Sequence, residues 1–284
     1  MTTASERTGR GLALVAPALL WTAAFFLVPM ATMLLVSTWQ RVGTRLVTEP
    51  SLVNYAKLWN EPALRQALVN SLETSLVVTL VSVLLAYPLA YILAFSVPPR
   101  WRRLALLLAI LPFWTSYVVR SYAWLLVLSP GGLAGQVLEA VGLARDSVAL
   151  VNNRTGTVIG FVHFFTMLLT LTIFASLVRI PTGLQRAAAN LGASPAQTFF
   201  WVTLPLSVPG IVTGAFLTFV LTIGDYITPQ ILGGGKDLVL PQVIMLQLSR
   251  RADLPMASAL SLVLMLAVTL AFLATARWLR LERV

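Results

Sequence analysis

Long apolar runs separated by short polar stretches repeat along the whole chain. Six stand out, at about 12–38, 72–97, 104–128, 157–179, 206–224 and 257–276. Each approaches or exceeds the roughly 20 residues that cross about 30 Å of hydrocarbon as a helix. The pattern predicts an all-α integral membrane fold of six transmembrane helices. Residues 12–276 form a single membrane domain, with tails at 1–11 and 277–284. The first run follows a basic start, as in a signal peptide, but continues to Thr38 without a convincing small-residue cleavage site, so it is read as a retained span. Pro17, Pro29, Pro88 and Pro112 fall inside or near the start of runs and predict kinks.

Between the fourth and fifth runs, residues 180–205 interrupt the apolar pattern with IPTGLQRAAANLGASPAQTFFWVTLP. Pro181 suits the start of a helix, and Leu184, Ala187, Ala188 and Leu191 repeat at helical spacing. Gly192 is a C-terminal stop; Ser194 followed by Pro195 is the start of a second helix, expected to end near Leu204 and Pro205. The reading is an amphipathic elbow at a membrane surface, shaped to dock into another protein. Three longer segments at 39–71, 129–156 and 225–256 read as loops, the first with the amphipathic stretch NYAKLWNEPALRQALVNS.

Composition agrees: 58% of residues are hydrophobic and 11% charged, far below the roughly 25% charge of soluble domains. The net charge of +10 is assigned to arginines flanking spans rather than to nucleic acid. Arg7, Arg10, Arg100, Arg102, Arg103, Arg179, Arg186, Arg277, Arg280 and Arg283 lie on the side of the termini and elbow, in short loops. Their density makes that side cytoplasmic. The other side carries Arg41, Arg45, Lys57, Arg65, Arg145, Arg154, Lys236, Arg250 and Arg251 over longer loops. Cysteine is absent and His163 is the one histidine, so neither a metal site nor a catalytic residue is expected. No GxxxxGK[ST] phosphate loop and no GxSxG elbow occur, so no cofactor is expected on this chain.

Ionisable residues near membrane depth are the candidate chemistry. Asp225 and Tyr226 close the fifth run; they suit a cationic substrate through charge and cation–π attraction, or form an interfacial acid facing water. Arg120 lies among Trp114, Tyr117, Tyr122 and Trp124. Three roles stay open for it: binding substrate, pairing with an acid such as Asp225, or snorkelling outward. Glu73, at the start of the second run, reads as a helix cap. His163 reads as a hydrogen-bonded bundle histidine.

The elbow carries a resemblance. Ala187-Ala188, three residues, Gly192, nine residues, Val202, one residue and Leu204-Pro205 resemble the EAA signature of permease subunits in bacterial ABC importers. AYPLAYILA, LPFWTSYVVRSYAWLLVL and GDYITPQILGG resemble, in addition, the B-type permeases of spermidine/putrescine importers. The resemblance implies the type I ABC importer permease fold, with a cytoplasmic EAA coupling helix between spans four and five. It implies a bacterial inner-membrane location, cytoplasmic termini, and contact with membrane lipid. The implied partners are a second permease subunit, an ATPase dimer that uses ATP and Mg, and a periplasmic or lipid-anchored solute-binding protein. Coupling would fall to Arg186, Ala187, Ala188, Gly192, Ala193, Ser194, Leu204 and Pro205. The substrate path would include Asp225, Tyr226, Trp114, Tyr117 and Arg120. A polyamine is the implied solute; organophosphonates, opines and amino-acid-like compounds stay open, as does a secondary transporter. One departure stands out: Arg186 replaces the signature's Glu.

Overall fold

The computed structural model describes residues 15–142 and 150–279. The tail at 1–11, residues 12–14 of the first run, Arg145 and the tail residues 280–284 lie outside them, as does the side chain of Arg277. Two compact units are present, one from Met1–Pro62 with Ile244–Val263 and one from Ala63–Val243 with Leu264–Val284.

The first unit contains helix α1 (Val15–Ser37), which includes a π turn at Ala23–Leu27, and helix α2 (Val53–Asn60). The π turn sits just before Pro29, whose ring would clash with the carbonyl of Phe25 in a regular helix; widening the turn relieves that contact. Between α1 and α2, strands β1 (Gln40–Val42) and β2 (Arg45–Val47) pair antiparallel, with Arg41 opposite Leu46. Among the described residues the fold is thus all-helical apart from this hairpin, which the apolar pattern did not announce. Buried Asn54 fastens α2 by donating to the carbonyls of Ser37 at 3.0 Å and Trp39 at 2.6 Å.

The second unit holds the bundle. Helix α3 (Pro62–Ser96) begins ten residues before the predicted run. Residues 62–71, expected in a loop, are its first turns: Leu64 and Ala67 pack inward with Asn70 and Ser71, while Arg65 and Gln66 face out. The third run is two helices, α4 (Pro99–Trp114) and α5 (Tyr117–Leu128), broken at residues 115–116 with an 89° bend. Pro112 ends α4 in a 3-10 turn. Helix α6 (Leu133–Ala140) follows, then α7 (Arg154–Leu177) and the short α8 (Thr182–Asn190). Helix α9 runs unbroken from Pro195 to Gly224. The expected stop at Leu204-Pro205 does not occur: a π turn at Phe199–Thr203 absorbs Pro205 as the π turn of α1 absorbs Pro29. Helix α10 (Ile227–Leu232) belongs to this unit, while α11 (Leu240–Leu246) and α12 (Leu254–Leu279) each have residues in both units. Among the described residues five helices are long and apolar enough to cross a membrane, or six spans if the bent pair is one.

The core sits where small residues of one helix meet large residues of another. Ala86, Ala90 and Ala94 of α3 pack on Leu169, Ile173 and Leu177 of α7. Gly210 and Gly214 of α9 meet the same helix, where an added Cβ would lie 2.3 Å from Ser176 and 2.4 Å from Thr172. Small residues four apart let helix backbones approach closely, the source of dispersion contact in lipid. Tyr87 of α3 and Ser207 of α9 share a hydrogen bond of 3.0 Å.

Candidate functional site

The elbow is built from local capping. α8 ends in a Schellman arrangement: Gly192 has φ +85, its N–H donates to Ala189 O at 3.0 Å, and Ala193 N–H donates to Ala188 O at 3.0 Å. Two residues later Ser194 opens α9 with a capping box. Its Oγ accepts from Gln197 N at 3.3 Å, and Gln197 Oε1 accepts from Ser194 N at 2.8 Å. No residue of α8 is buried. Leu191 is 89% exposed and Trp201 81%, and no described residue buries the apolar stripe. Ala188, Leu191, Gly192, Ala193, Gln197 and Trp201 help line an open groove of about 460 Å³. Arg186 is exposed on the same helix and has no ion-pair partner among the described residues. Leu204 and Pro205 lie beyond the groove, inside α9 in the first turn after the π turn.

At the other end of α9 the polar groups converge on Tyr117 and Asp225. Asp225 Oδ1 accepts from Ile227 N at 3.0 Å and Oδ2 from Thr228 N at 3.3 Å, so the carboxylate caps α10. The Tyr117 hydroxyl donates to Asp225 Oδ2, which leaves the buried Thr228 hydroxyl to donate to Tyr117. Arg120 does not pair with Asp225 or with any other acid among the described residues. It is 8% exposed, its Nη1 donates to Pro112 O at 2.8 Å, and its guanidinium lies 4.4 Å from the Phe164 ring centroid. The arginine thus joins Thr115, whose N–H and hydroxyl also donate to Pro112 O, at the break between α4 and α5, and is neither bound to Asp225 nor snorkelling. Such breaks persist at membrane depth only when another group takes up the freed backbone. Trp114, 81% exposed, and Tyr226, 38% exposed, carry open aromatic faces and join no part of this network.

Two further readings of the sequence resolve here. Glu73 is no cap, since it lies well inside α3; it pairs with Arg154 Nη1 at 2.6 Å, and Arg154 Nε donates to Thr74 at 3.1 Å. His163 Nδ1 accepts from Trp124 Nε1 at 3.0 Å. An indole N–H only donates, so the His163 proton resides on Nε2 and the ring is a bundle histidine.

Sequence reasoning missed the residues that hold the segment after Asp225. Expected as a loop, residues 227–243 instead form two short helices joined by a glycine turn. Asn70 Nδ2 donates to Leu238 O at 3.1 Å, and Ser71 Oγ accepts from Leu240 N at 2.7 Å. Gln242 Oε1 accepts from Val239 N at 3.1 Å, while its amide reaches Gln230 at 3.3 Å. Buried Asn70, Ser71, Thr74, Ser75, Thr79 and Ser82 form a polar strip along one side of α3. That strip, at helical spacing within an apolar run, was the available signal.

Helices of membrane-spanning length, a broken third span and an uncovered capped elbow together define a membrane permease with the type I ABC importer fold. Solved structures agree on the fold. The chain matches a bacterial alginate ABC transporter, crystallised in complex with alginate pentasaccharide-bound periplasmic protein, with a TM-score of 0.74 at 18% identity, over 95% of this chain and 93% of that one. It matches the inward-facing MetNI methionine ABC transporter with a TM-score of 0.59 at 18% identity, over 79% and 97%. The chain belongs to the family of binding-protein-dependent transport system inner membrane components, whose profile matches residues 86–281. Relatives include the inner membrane ABC transporter permease protein YdcU of Escherichia coli, 36% identical over 57% of this chain and 56% of that protein. The spermidine/putrescine transport system permease protein PotB of Haemophilus influenzae is 31% identical over 85% of this chain and 84% of that protein. The matched region thus spans little more than half of the first relative and most of the second.

Proposed function

We propose that this chain is one half of the translocation path of an ATP-driven importer, and that its elbow is the coupling helix through which a separate ATPase dimer moves the bundle. The observation that supports this most is the pairing of motif and geometry. Ala187 and Ala188 lie on α8, Gly192 and Ala193 cap it, Ser194 opens α9, and no described residue buries the apolar stripe of α8. An exposed amphipathic face of that kind fits a groove in a partner. The reading places the elbow and both termini in the cytoplasm, counts the bent pair as one of six spans, and adds a second permease subunit and a solute-binding protein. No residue of this chain is assigned catalysis; ATP and Mg belong to the ATPase. Closure on nucleotide then shifts the bundle between two states, as alternating access requires.

A polyamine is the proposed solute. The spermidine/putrescine relative matches most of the chain, and Asp225, bonded by the Tyr117 hydroxyl and followed in sequence by the partly exposed Tyr226, supplies one carboxylate beside aromatic residues. Uptake of labelled spermidine by vesicles carrying the full complex tests this. Asp225→Asn keeps the shape of the α10 cap and removes the charge, so spermidine uptake falls while uptake of an anionic solute does not. Loss of neither sinks the cation reading. Arg186 is proposed to face an acidic position on the ATPase in place of the usual Glu. Arg186→Glu then weakens co-purification of the ATPase; stronger assembly would contradict it.

A further inference from the structure

The start of α5 has little support of its own. Its N-cap residue, Ser116, makes no side-chain cap, and an 89° bend separates the helix from α4. Yet Tyr117, the first residue of α5, holds its hydroxyl on Asp225. A side chain of α7 supplies what the break lacks. The Phe164 ring stacks on Phe113 of α4, with centroids 4.7 Å apart and planes at 25°, and meets Tyr117 of α5 edge to face at 5.5 Å and 67°. One ring thus touches both flanks of the break. Arg120 closes the same clasp. Its guanidinium lies 4.4 Å from the Phe164 centroid and 5.5 Å from that of Tyr117, while Nη1 donates to Pro112 O at 2.8 Å.

Phe164 has a fixed place because its neighbours on α7 do. Phe165 is buried in the core, with its ring centroid 4.9 Å from that of Phe164. His163 accepts from the Trp124 indole, two turns beyond Tyr117 along α5. Further along, α7 receives α9 closely at Gly210 and Gly214. We propose that Phe164 is a positioning residue for the Tyr117–Asp225 pair: it ties the angle of the broken third span to α7 and so sets how the hydroxyl meets the carboxylate. The inference rests on the reading of Asp225 as part of the solute path. It also says which motion reaches that pair. A displacement of α7 carries Phe164, and with it Tyr117, whereas Asp225 keeps its own hold on Ile227 N and Thr228 N.

Hydrogen–deuterium exchange of the full chain in nanodiscs tests the link without any solute. Phe164→Leu keeps an apolar side chain and removes the ring. Exchange at Ile227 and Thr228, the N–H groups that Asp225 caps, then rises about fivefold, the size expected of one aromatic pair. Tyr117→Phe removes the hydroxyl itself and raises exchange there at least as much; the double variant exchanges no faster than Tyr117→Phe alone. Phe164→Tyr retains the ring and restores slow exchange. Arg120→Lys keeps the charge without the flat guanidinium and gives a second, smaller rise at the same groups. Unchanged exchange there, a rise spread along Arg154–Leu177, or additive effects in the double variant overturns the proposal. Spermidine uptake by the assembled complex reads the functional half: its maximal rate falls about fivefold in Phe164→Leu and returns in Phe164→Tyr. Uptake unchanged in both Phe164→Leu and Tyr117→Phe, with the cap loosened, overturns the reading of Asp225 as a solute residue and leaves the clasp standing.

Discussion

The elbow at residues 182–204 and the segment at 227–243 are both short helices joined by tight turns, yet they are held by opposite means. Every cap of the elbow comes from within a few residues: Gly192 and Ala193 close α8, and Ser194 with Gln197 opens α9. The 227–243 segment has local caps from Asp225 and Gln242 but also takes backbone partners from far away, through Asn70 and Ser71 of α3, while Tyr117 of α5 bonds the Thr228 side chain. The first is a self-sufficient object presented to the outside of the bundle. The second is irregular backbone that exists because a spanning helix supplies the missing hydrogen bonds.

Variants separate the two designs. The largest effect is expected for Ser71→Val, which leaves the Leu240 N–H buried and unpaired, a loss of about 1–3 kcal/mol. Denaturant titration of the purified chain reads it, and an unchanged midpoint would mean that the segment does not depend on α3. Gly192→Val forces a β-branched residue into a left-handed conformation at about 1–2 kcal/mol. Because α8 buries nothing, the whole-chain midpoint moves little, while solute uptake by the assembled complex falls about tenfold. Ser194→Ala removes one half of a capping box, about 1 kcal/mol, read as faster amide exchange confined to residues 195–198. Smallest is Arg154→Gln: its partner Glu73 is 54% exposed and Arg154 33%. Such pairs contribute about 0–1 kcal/mol, and the effect shrinks further in high salt.

The same contrast explains what was legible in the sequence. The stop at Gly192 and the start at Ser194 could be read because glycine and serine act on their immediate neighbours. The end expected at Leu204-Pro205 was misplaced because a proline breaks a helix only if the turn before it stays regular, and the π turn at Phe199–Thr203 does not. The third run looked continuous because hydropathy is blind to the bend at residues 115–116; Arg120 looked like an ion-pair partner for the same reason, since the carbonyl it serves is exposed only by that bend. Glu73 was taken for a cap because the polar first turns of α3 hid the true helix start at Pro62. Asn70 and Ser71 went unnoticed because their partners lie 168 and 169 residues away.

The central claim is that the elbow seats in a separate ATPase, and a single cysteine at Ala188 tests it most directly, since the native chain has none. In membranes holding the assembled complex, a short cross-linker on Ala188→Cys is expected to join the ATPase, and Gly192→Val in the same chain to abolish the adduct. Leu72→Cys, near the opposite end of α3, serves as the control and should not join it. An ATPase adduct from Leu72→Cys but not from Ala188→Cys would contradict the account.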